Sequence, residues 1–327
     1  MIRFVLRRIG LGLLVMLLVT MVVFAIFYIG PGGAAVARRL AGRAAPLSTV
    51  NLIRDHLGLN KPLWTQYWYF LWGHGAQHGL LLGNLGTDYY NGVSVNSEIM
   101  QELPISLSLI AGAAVLWLLM GTLSGVISAV RPRSLADRGF TFLALFFYSI
   151  PTFVLGLLLL LVFFYILTVH GVQLFPASGY ASLTQNPVQW FRHLLLPWFT
   201  LAAVSAAAYT RLTRGSMLDV LSEDYIRTAR SKGITERRVI FRHALRSATS
   251  PLISQFGIDL GGAIGSIIVV EYIFGLPGLG YNAVSAISTQ DLPLIMGITI
   301  VGSAAVVLAN MVADILYAVV DPRVRLH

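Results

Sequence analysis

Cysteine is absent from this chain of 327 residues, and lysine occurs only twice. Without cysteine, the chain can form no disulfide and offers no thiol for catalysis or metal binding. The two lysines, Lys61 and Lys232, follow Asn60 and Ser231, so neither belongs to the Gly-Lys-Ser/Thr sequence of a phosphate-binding P-loop. The seven histidines are scattered and form no His-Glu-x-x-His zinc motif. These absences argue against an ATPase or a metal-dependent enzyme.

Charged residues are also scarce, at 11% of the chain, whereas hydrophobic residues make up 56%. Because such a composition, with a mean hydropathy of +0.75, cannot cover a water-facing exterior, it predicts an integral membrane protein. A helix needs about 20 apolar residues to cross a bilayer. Six runs approach that length and predict an all-α fold with six spans, near Ile9–Ile29, Pro104–Val130, Phe140–Val169, Leu194–Tyr209, Leu252–Phe274 and Pro293–Val320.

The first apolar run has two interpretations. A basic start (Arg3, Arg7, Arg8) and the sequence Ala-Val-Ala at residues 35–37 are typical of a cleaved signal peptide. The apolar core, however, is about 21 residues long and exceeds the roughly 7 to 15 residues of a signal peptide. We therefore favour an uncleaved membrane anchor.

The basic residues predict the orientation of the chain, because cytosolic loops carry an excess of lysine and arginine. If the N-terminus is cytosolic and the loops alternate, 17 of the 23 basic residues fall on the cytosolic side. Nine of them lie in one loop, between Arg211 and Arg246. We therefore expect both termini in the cytosol. Basic loops beside anionic lipid also account for the net charge of +9 without nucleic acid.

Residues 31–102 form a long segment that this topology places outside the cell membrane. It predicts a helix from Thr49 to Leu57, with Ser48 as its N-cap and Gly58 as its stop. An aromatic run, Trp64–Trp72, follows. Because tryptophan and tyrosine prefer the headgroup level of a bilayer, we favour an interfacial helix over a ligand-stacking surface.

The loop at residues 211–250 predicts two short helices around a glycine. Ser222 is a candidate N-cap of the first helix, and Gly233 supplies its left-handed stop. Thr235 can cap the second helix. This second helix has an apolar face and a basic face, formed respectively by Ile240, Phe241, Ala244, Leu245 and by Arg238, Arg242, Arg246. Such a device suits either anionic lipid or a groove in a soluble partner, and the residues alone leave both open.

The stretch YIRTARSKGITERRVIFRHALRSA, residues 225–248, resembles the EAA loop of binding-protein-dependent ABC importers. This version of the EAA loop resembles the one found in the B-type permease of dipeptide, oligopeptide and nickel systems. Arg-Thr-Ala at 227–229 takes the place of Glu-Ala-Ala, Gly233 is the loop glycine, and Arg246 stands where many members have proline. The resemblance continues along the chain in RFVLRRIG, GLNKPLWTQYWYFL, LGNLGTDYYNGVSV, PTF, VEYIFGLPGLG and DILYAVVDPRVR.

The resemblance implies a type I ABC importer permease fold. It implies an N-terminal transmembrane helix at 1–30, an extracytoplasmic segment at 31–102 and a five-helix core at 103–327. The ATPase-coupling residues carried over from the motif are Tyr225, Ile226, Arg227, Thr228, Ala229, Arg230, Lys232, Gly233, Arg242, His243, Ala244 and Leu245.

The same resemblance implies uptake of peptides or similar small nutrients by alternating access, across a bacterial inner membrane. The implied partners are a second homologous permease, two cytosolic ABC ATPases and an extracytoplasmic binding protein, besides membrane lipid. ATP and Mg²⁺ would bind in the ATPases, and this chain would bind no cofactor. Because the binding protein largely sets selectivity in this family, dipeptides, oligopeptides, nickel chelates, glutathione and haem all remain open as substrates.

Ionisable residues inside the predicted spans are candidates for a translocation path, since a charge at that depth has to face protein or water. Asp259 lies among glycines at GxxxGxxxG spacing, at positions 257, 261 and 265, which favours close helix packing. Asp259 then either makes a buried polar contact between helices or lines the translocation path. For Asp314, four residues after Asn310, we favour a structural hydrogen bond.

Glu271 comes just before the helix-breaking sequence GLPGLG, near the outer end of the fifth span. An outer gate formed by Glu271, Phe274, Pro277 and Gly278 and a plain helix terminus are equally compatible with this position. Pro151 predicts a kink in the third span. The sequence GTLSG at residues 121–125 indicates helix packing through small residues.

A different class of function is a stand-alone secondary transporter or channel in which Asp259 or Glu271 couples transport to an ion. It predicts transport driven by an ion gradient, without an ATPase partner. It gives no reason for the capped basic loop. An intramembrane enzyme would need a nucleophile or a metal cluster, and the sequence suggests neither.

Overall fold

The computed structural model describes residues 2–29, 33–41, 45–56, 58–74, 77–88 and 91–320. They fold almost entirely into helices, as expected of a chain whose backbone polar groups have to be satisfied without water. The helices are α1 (Ile2–Phe24), α2 (Gly33–Ala41), α3 (Leu47–His56), α4 (Leu63–Trp72), α5 (Val95–Val130), α6 (Leu135–Ser149), α7 (Thr152–Leu159), α8 (Leu167–Val169), α9 (Pro187–Leu221), α10 (Asp224–Ser231), α11 (Glu236–Arg238), α12 (Leu245–Phe274), α13 (Leu279–Thr289) and α14 (Leu292–Val320).

Short irregular elements connect some of these helices. Strands β1 (Gly73–His74) and β2 (Gln77–His78) pair as an antiparallel hairpin, with Gly73 opposite His78. A 3₁₀ turn, Leu80–Leu82, follows. Three π-helical turns lie at Ala25–Ile29, Leu160–Ile166 and Val239–Ala244. The last of these joins α11 to α12 without a break in the helical path.

The six predicted spans are confirmed. Within the described residues, six helical stretches are long and apolar enough to cross a membrane. They are Leu6–Ile29, Val95–Val130, Thr152–Val169, Pro187–Leu221, Glu236–Phe274 and Leu292–Ile315.

The predicted kink at Pro151 is wrong, because the chain forms two separate helices there. Helix α6 ends at Ser149, and Ile150 is extended, with φ −88° and ψ 126°. A residue before proline is driven out of the helical region by the proline ring, so the helix stops instead of bending. The third span consequently begins at Thr152 and not near Phe140.

The outer segment differs from its prediction at one helix start. Helix α3 begins at Leu47, so Ser48 lies in its first turn and is not its N-cap. Leu57, the predicted last residue, is outside the described residues, and Gly58 adopts the predicted left-handed conformation, with φ +64°. In α4, Trp64, Trp68 and Trp72 are exposed at intervals of four residues. This tryptophan face favours the interfacial helix.

The chain forms two compact units. The described parts of residues 1–5, 104–281 and 308–327 make the larger unit, and those of 6–103 and 282–307 make the smaller. In the smaller unit, Val23 of α1 packs with Met296 and Ile300 of α14. The Thr20 hydroxyl lies 2.9 Å from the Tyr67 hydroxyl of α4, which ties the aromatic helix to the first span.

In the larger unit, α5 and α9 pack closely through glycines. Any β-carbon at Gly112 would collide with the indole of Trp198, and one at Gly121 would collide with the Tyr209 side chain. The Trp198 Nε1–H donates to the carbonyl of Ser108 at 2.9 Å, and the Ser124 and Thr210 hydroxyls are 2.7 Å apart. The predicted role of GTLSG in helix packing is confirmed at Gly121.

Helices α12 and α14 pack in the same manner. A β-carbon at Gly257 would collide with Ala313, and one at Gly261 would lie 2.7 Å from the Asn310 Oδ1. Gly265, the third glycine of the spacing, has open space beside it. Two of the three glycines therefore permit the predicted close helix contact.

The packing predicts opposite effects for two glycine-to-alanine substitutions. Gly121→Ala adds a methyl group against Tyr209 and 2.9 Å from the Ala206 carbonyl. Overpacking of this kind costs about 1 to 3 kcal/mol. Gly139→Ala adds the same group to α6 in open space, where it stabilises the helix by roughly 1 kcal/mol. Thermal unfolding of the detergent-purified protein measures both, and equal melting temperatures for the two variants would contradict this packing.

Candidate functional site: the basic loop and the membrane carboxylates

Helix α10 has defined ends. Glu223, and not Ser222, occupies its N-cap position, with extended backbone. Ser222 instead closes α9, where its hydroxyl donates to the Asp219 carbonyl at 2.7 Å. At the other end, Gly233 has φ +76°, and the Ile234 N–H donates to the Ala229 carbonyl at 3.3 Å. The left-handed stop predicted at Gly233 is therefore confirmed.

One face of α10 is buried in a cluster of its own. Ile226 is 0% exposed and Ala229 is 8% exposed. They belong to a hydrophobic cluster that also contains residues of α5, of α9 and of the π-helical turn before α12. Met217, Val239 and Ile240 are among its members. Burying a side chain such as Ile226 contributes about 1.5 to 3 kcal/mol, so this face holds the short helix in place.

Polar contacts also hold α10 to the chain that follows it. The Arg230 guanidinium makes two hydrogen bonds to the Glu236 carboxylate, at 3.1 and 2.7 Å. The Tyr225 hydroxyl donates to Ser247 Oγ on α12 at 2.9 Å. Two parallel hydrogen bonds between a guanidinium and a carboxylate fix the relative orientation of the two groups as well as their distance. The loop therefore has one defined shape.

The second helix of the loop starts with Thr235 in the predicted N-cap position, but the Thr235 side chain makes no capping hydrogen bond. It widens into the π-helical turn Val239–Ala244 before α12 begins. Val239, Ile240 and Ala244 are buried, whereas Phe241 is half-exposed and does not belong to the buried face. A π-helical turn holds more residues than an α-helical turn, so it shifts the faces expected from a period of 3.6 residues.

Glu271 is fully buried at the far end of α12. Its Oε1 accepts a hydrogen bond from the Ser106 hydroxyl at 2.6 Å, and its Oε2 accepts from the backbone N–H groups of Gly280 and Tyr281 at 2.7 and 3.1 Å. The Ser106 hydroxyl in turn accepts from the Leu279 N–H at 3.0 Å. Glu271 and Ser106 therefore fix the start of α13.

The glycines of GLPGLG are explained by this carboxylate. Gly275 ends α12 in the left-handed conformation, with φ +55°. A β-carbon at Gly278 would collide with the Glu271 carboxylate, and one at Gly280 would lie 3.0 Å from its Oε2. The loop backbone can approach the carboxylate only because these side chains are missing.

Asp259 is half-buried in the middle of α12. It accepts a hydrogen bond from the Gln255 amide, one turn earlier, at 2.9 Å. Asp259 therefore has a polar partner on its own helix.

Asp137, near the start of α6, was not anticipated from the sequence. It is 5% exposed and receives two hydrogen bonds from Arg214 of α9, at 2.7 and 3.0 Å. The Arg133 N–H donates a third at 2.8 Å. The bonds from Arg214, then that from Arg133, lower the pKa of Asp137 to about 2. This pair fastens α6 to the end of α9 that leads into α10.

Two family models match nearly the whole chain. Residues 121–326 match the model described as "Binding-protein-dependent transport system inner membrane component". Residues 1–110 match the model of the N-terminal part of such membrane components. The chain belongs to this family. Membership makes it a multi-pass membrane permease, a component of an ABC transporter complex with other subunits and not itself the ATPase.

Several curated relatives match this permease over nearly their full length. The oligopeptide transport system permease protein AppB of Bacillus subtilis is 38% identical over 98% of this chain and 99% of its own. The dipeptide transport system permease protein DppB of Lactococcus lactis is 35% identical over 100% of both chains. A probable peptide ABC transporter permease protein, y4tP of Sinorhizobium fredii, is 36% identical over 98% of this chain and 99% of its own.

The predicted coupling residues of the permease fall into three groups by exposure. Ile226, Ala229 and Ala244 are buried and hold the loop together. His243 and Leu245 are half-buried. The accessible residues are Tyr225, Arg227, Thr228, Arg230, Lys232, Gly233 and Arg242.

The predicted gate residues of the permease lie together at the end of α12 but differ in exposure. Phe274 is buried in the core of the larger unit, and Gly278 is buried against Glu271. Pro277 is exposed. Asp314 is half-buried on α14, and Asn310 packs against Gly261. The roles proposed for these residues in transport remain predictions.

Besides Asp137, the sequence did not indicate Ser106 and Arg214, which hold the two buried carboxylates. Ser106 lies 165 residues before Glu271, and Arg214 lies 77 residues after Asp137. A local signal existed only for Asp137, whose N–H donates to the N-cap residue Ser134 three positions earlier. A Ser-x-x-Asp pattern of this kind marks a helix start, but it does not identify the arginine partner.

Removal of the Glu271 carboxylate will expose the start of α13 to solvent exchange. In Glu271→Ala the Gly280 and Tyr281 N–H groups lose their acceptor, at about 1 to 3 kcal/mol for each buried unsatisfied group. We expect hydrogen–deuterium exchange of residues 279–281 to rise at least tenfold. Glu271→Gln keeps an acceptor oxygen and is the matched control. Unchanged protection in Glu271→Ala would refute the assigned hydrogen bonds.

The Asp137–Arg214 pair predicts a pH-dependent stability difference. The pKa of Asp137 is lowered from 3.8 to about 2, so its stabilisation is complete above pH 4 and is lost as the pH falls through 2. Asp137→Asn should cost about 1 to 2 kcal/mol near neutral pH, and the deficit should vanish toward pH 2. Melting temperatures at several pH values test this. Asp219→Asn, on an exposed site of α9, is the control and should show no deficit.

Proposed function

We propose that this chain is one permease subunit of an ATP-driven importer of peptides in a bacterial inner membrane. The names of the relatives, which include oligopeptide and dipeptide permeases, support peptides as the substrate class. The proposed complex contains a second homologous permease, two cytosolic ABC ATPases and an extracytoplasmic binding protein. ATP and Mg²⁺ bind in the ATPases, and this chain binds no cofactor. Both termini and α10 are cytosolic.

The shape of α10 is the observation that supports coupling to an ATPase. Its exposed face presents Tyr225, Arg227 and Thr228, while Ile226 and Ala229 anchor the opposite face in the permease. A partner that holds the exposed face therefore pulls on a helix that cannot slide independently. An anchored helix transmits a displacement, whereas a mobile loop would absorb it.

Helix α12 supplies a mechanical link from this loop to the opposite end of the span. It runs without interruption from Leu245 to Phe274, which is 30 residues, or about 45 Å. The π-helical turn at its start belongs to the same buried cluster as α10, and Glu271 near its end fixes residues 279–281. We propose that rotation or tilting of α12 carries the movement of α10 to an outer gate formed by Glu271, Phe274, Pro277 and Gly278.

Asp259 lies between these two ends of α12. Its partial exposure and its hydrogen bond with Gln255 support a role in positioning a polar surface along the path. Asp259→Asn keeps the size of the side chain and removes its charge. If Asp259 serves transport, uptake falls while assembly of the complex is preserved.

The coupling role predicts that distortion of the loop will separate ATP hydrolysis from uptake. Gly233→Val places a β-branched residue at φ +76°, a conformation that such residues rarely adopt. Ala229→Leu adds bulk to a site that is 8% exposed in the α10 cluster. In both variants we expect at least a tenfold loss of ATP-dependent peptide uptake in proteoliposomes, with ATPases released or hydrolysing without transport.

Gly233→Asn is the matched control, because asparagine tolerates the left-handed conformation better than other residues with a β-carbon. It should retain most of the uptake. Full ATP-coupled uptake by Gly233→Val and Ala229→Leu would contradict the coupling role. Uptake driven by an ion gradient in the purified chain alone would instead favour a secondary transporter.

A further inference from the structure

A second basic surface lies beside α10 but contains none of its residues. Arg237, Arg238, Arg242 and Arg246, with Thr235, surround the half-exposed ring of Phe241 in a shallow groove. We call these four arginines and Phe241 the arginine patch. All four arginines are exposed.

The arginine patch has no counter-charge within the described part of the chain. Arg230, in α10, is paired with Glu236, and Arg227 lies 3.5 Å from Asp224. Among the described residues, no carboxylate forms an ion pair with the four arginines of the patch. Four uncompensated guanidinium groups around one ring form a strongly positive site, which favours an anionic ligand.

The direction of the arginine patch is fixed by the residues on the other side of the same helical segment. Val239, Ile240 and Ala244 are buried in the α10 cluster. The arginines between and beside them therefore point away from that cluster. They cannot turn inward without removing this buried face from its packing.

One end of the arginine patch is also close to the membrane. Arg246 and Arg242 precede Leu252, the start of the apolar run of α12, by six and ten residues, or about 9 and 15 Å of helix. The headgroup layer adds roughly 5 to 8 Å to each side of the hydrocarbon core, and these two arginine side chains can span the remaining distance. Arg237 and Arg238, more than about 20 Å before Leu252 by the same measure, add to the positive potential from farther away. Clusters of four or more basic residues directly cytosolic of a membrane helix are attracted to anionic lipid.

We propose that the arginine patch, through Arg242 and Arg246, binds the phosphate groups of anionic phospholipids in the cytosolic leaflet. This inference uses the orientation given under the proposed function, in which α10 is cytosolic. The basic residues of the patch are all arginine, and a guanidinium fork can hold two phosphate oxygens at once. Phe241 provides an apolar contact between the bound headgroups. The bound lipid ties the start of α12 to the membrane surface, next to the loop that the ATPase moves.

The test compares lipid retention by charge-matched variants of the complete transporter. The complex is purified with its partner subunits in nanodiscs that contain equal amounts of phosphatidylglycerol and phosphatidylcholine, and the lipids retained after release are counted by native mass spectrometry. Arg242→Gln with Arg246→Gln removes the two charges of the patch that lie nearest the membrane. Arg131→Gln with Arg138→Gln removes two exposed charges elsewhere on the same expected side.

We expect the patch variant to retain about tenfold less phosphatidylglycerol than the wild type, since each arginine near an anionic surface contributes substantially to binding. The Arg131 and Arg138 variant should retain wild-type amounts. Arg242→Lys with Arg246→Lys should restore part of the binding. Raising the salt concentration should weaken retention in the wild type more than in the patch variant, because exposed charges are screened.

Three results would overturn the proposal. One is equal retention by the wild type and the patch variant. Another is equal loss in both charge-removal variants, which would indicate a diffuse effect of net charge. The third is loss of the ATPase subunits from the patch variant without loss of lipid, which would assign the arginine patch to a protein partner. Because ATPase content is measured in the same samples, failure of the lipid site is distinguishable from failure of the coupling role.

Discussion

The burial of one face of α10 is the interaction on which the rest of the loop depends. An isolated helix of eight residues is unstable in water, because helix nucleation costs more than a few backbone hydrogen bonds return. The contacts of Ile226 and Ala229 with the cluster behind them supply the missing stabilisation. The capping at Gly233 and the Arg230–Glu236 pair then define where the helix ends and which way it points. The exposed face has a fixed geometry only because the opposite face is packed.

The buried carboxylate of Glu271 solves a related problem at the opposite end of α12. The chain leaves the helix, turns sharply and enters α13, so several backbone N–H groups lose their helical partners. Glu271 and Ser106 accept hydrogen bonds from these N–H groups, as water would do at the surface of a soluble protein. The close approach of backbone and carboxylate requires glycine at 278 and 280. Polar hydrogen bonds thus set the geometry at one end of α12, and apolar burial sets it at the other.

The sequence predicted the features that depend on local physics. Six apolar runs gave six spans, and Gly233 gave the helix stop, since a run length and a left-handed glycine need no knowledge of distant residues. The start of α10 was one residue away from the prediction, because Ser222 closes α9 through its hydrogen bond to the Asp219 carbonyl and the N-cap position falls to Glu223. At Pro151 a kink and a complete break have the same signature in the sequence. In the structure Ile150 is extended, so α6 ends there and α7 begins as a separate helix.

The contacts that link distant segments could not be predicted in this way. The partners of Glu271 and Asp137 lie 165 and 77 residues away, and nothing near either carboxylate in the sequence distinguishes Ser106 or Arg214 from similar residues. The exposure of Phe241 was also missed, because the apolar face had been drawn with a period of 3.6 residues. The π-helical turn changes that period over Val239–Ala244.

The π-helical turn also lets the helical path hold one extra residue without changing the bearing of the loop. Because a π-helical turn holds more residues than an α-helical turn, Val239–Ala244 turns through nearly the same angle as a regular α-helix that is one residue shorter. A homologue with one residue fewer in this segment would continue as a regular α-helix, and its loop would keep nearly the same bearing above the span. A deletion elsewhere in the helix has no wide turn to absorb it and would rotate the loop by about 100° around the helix axis.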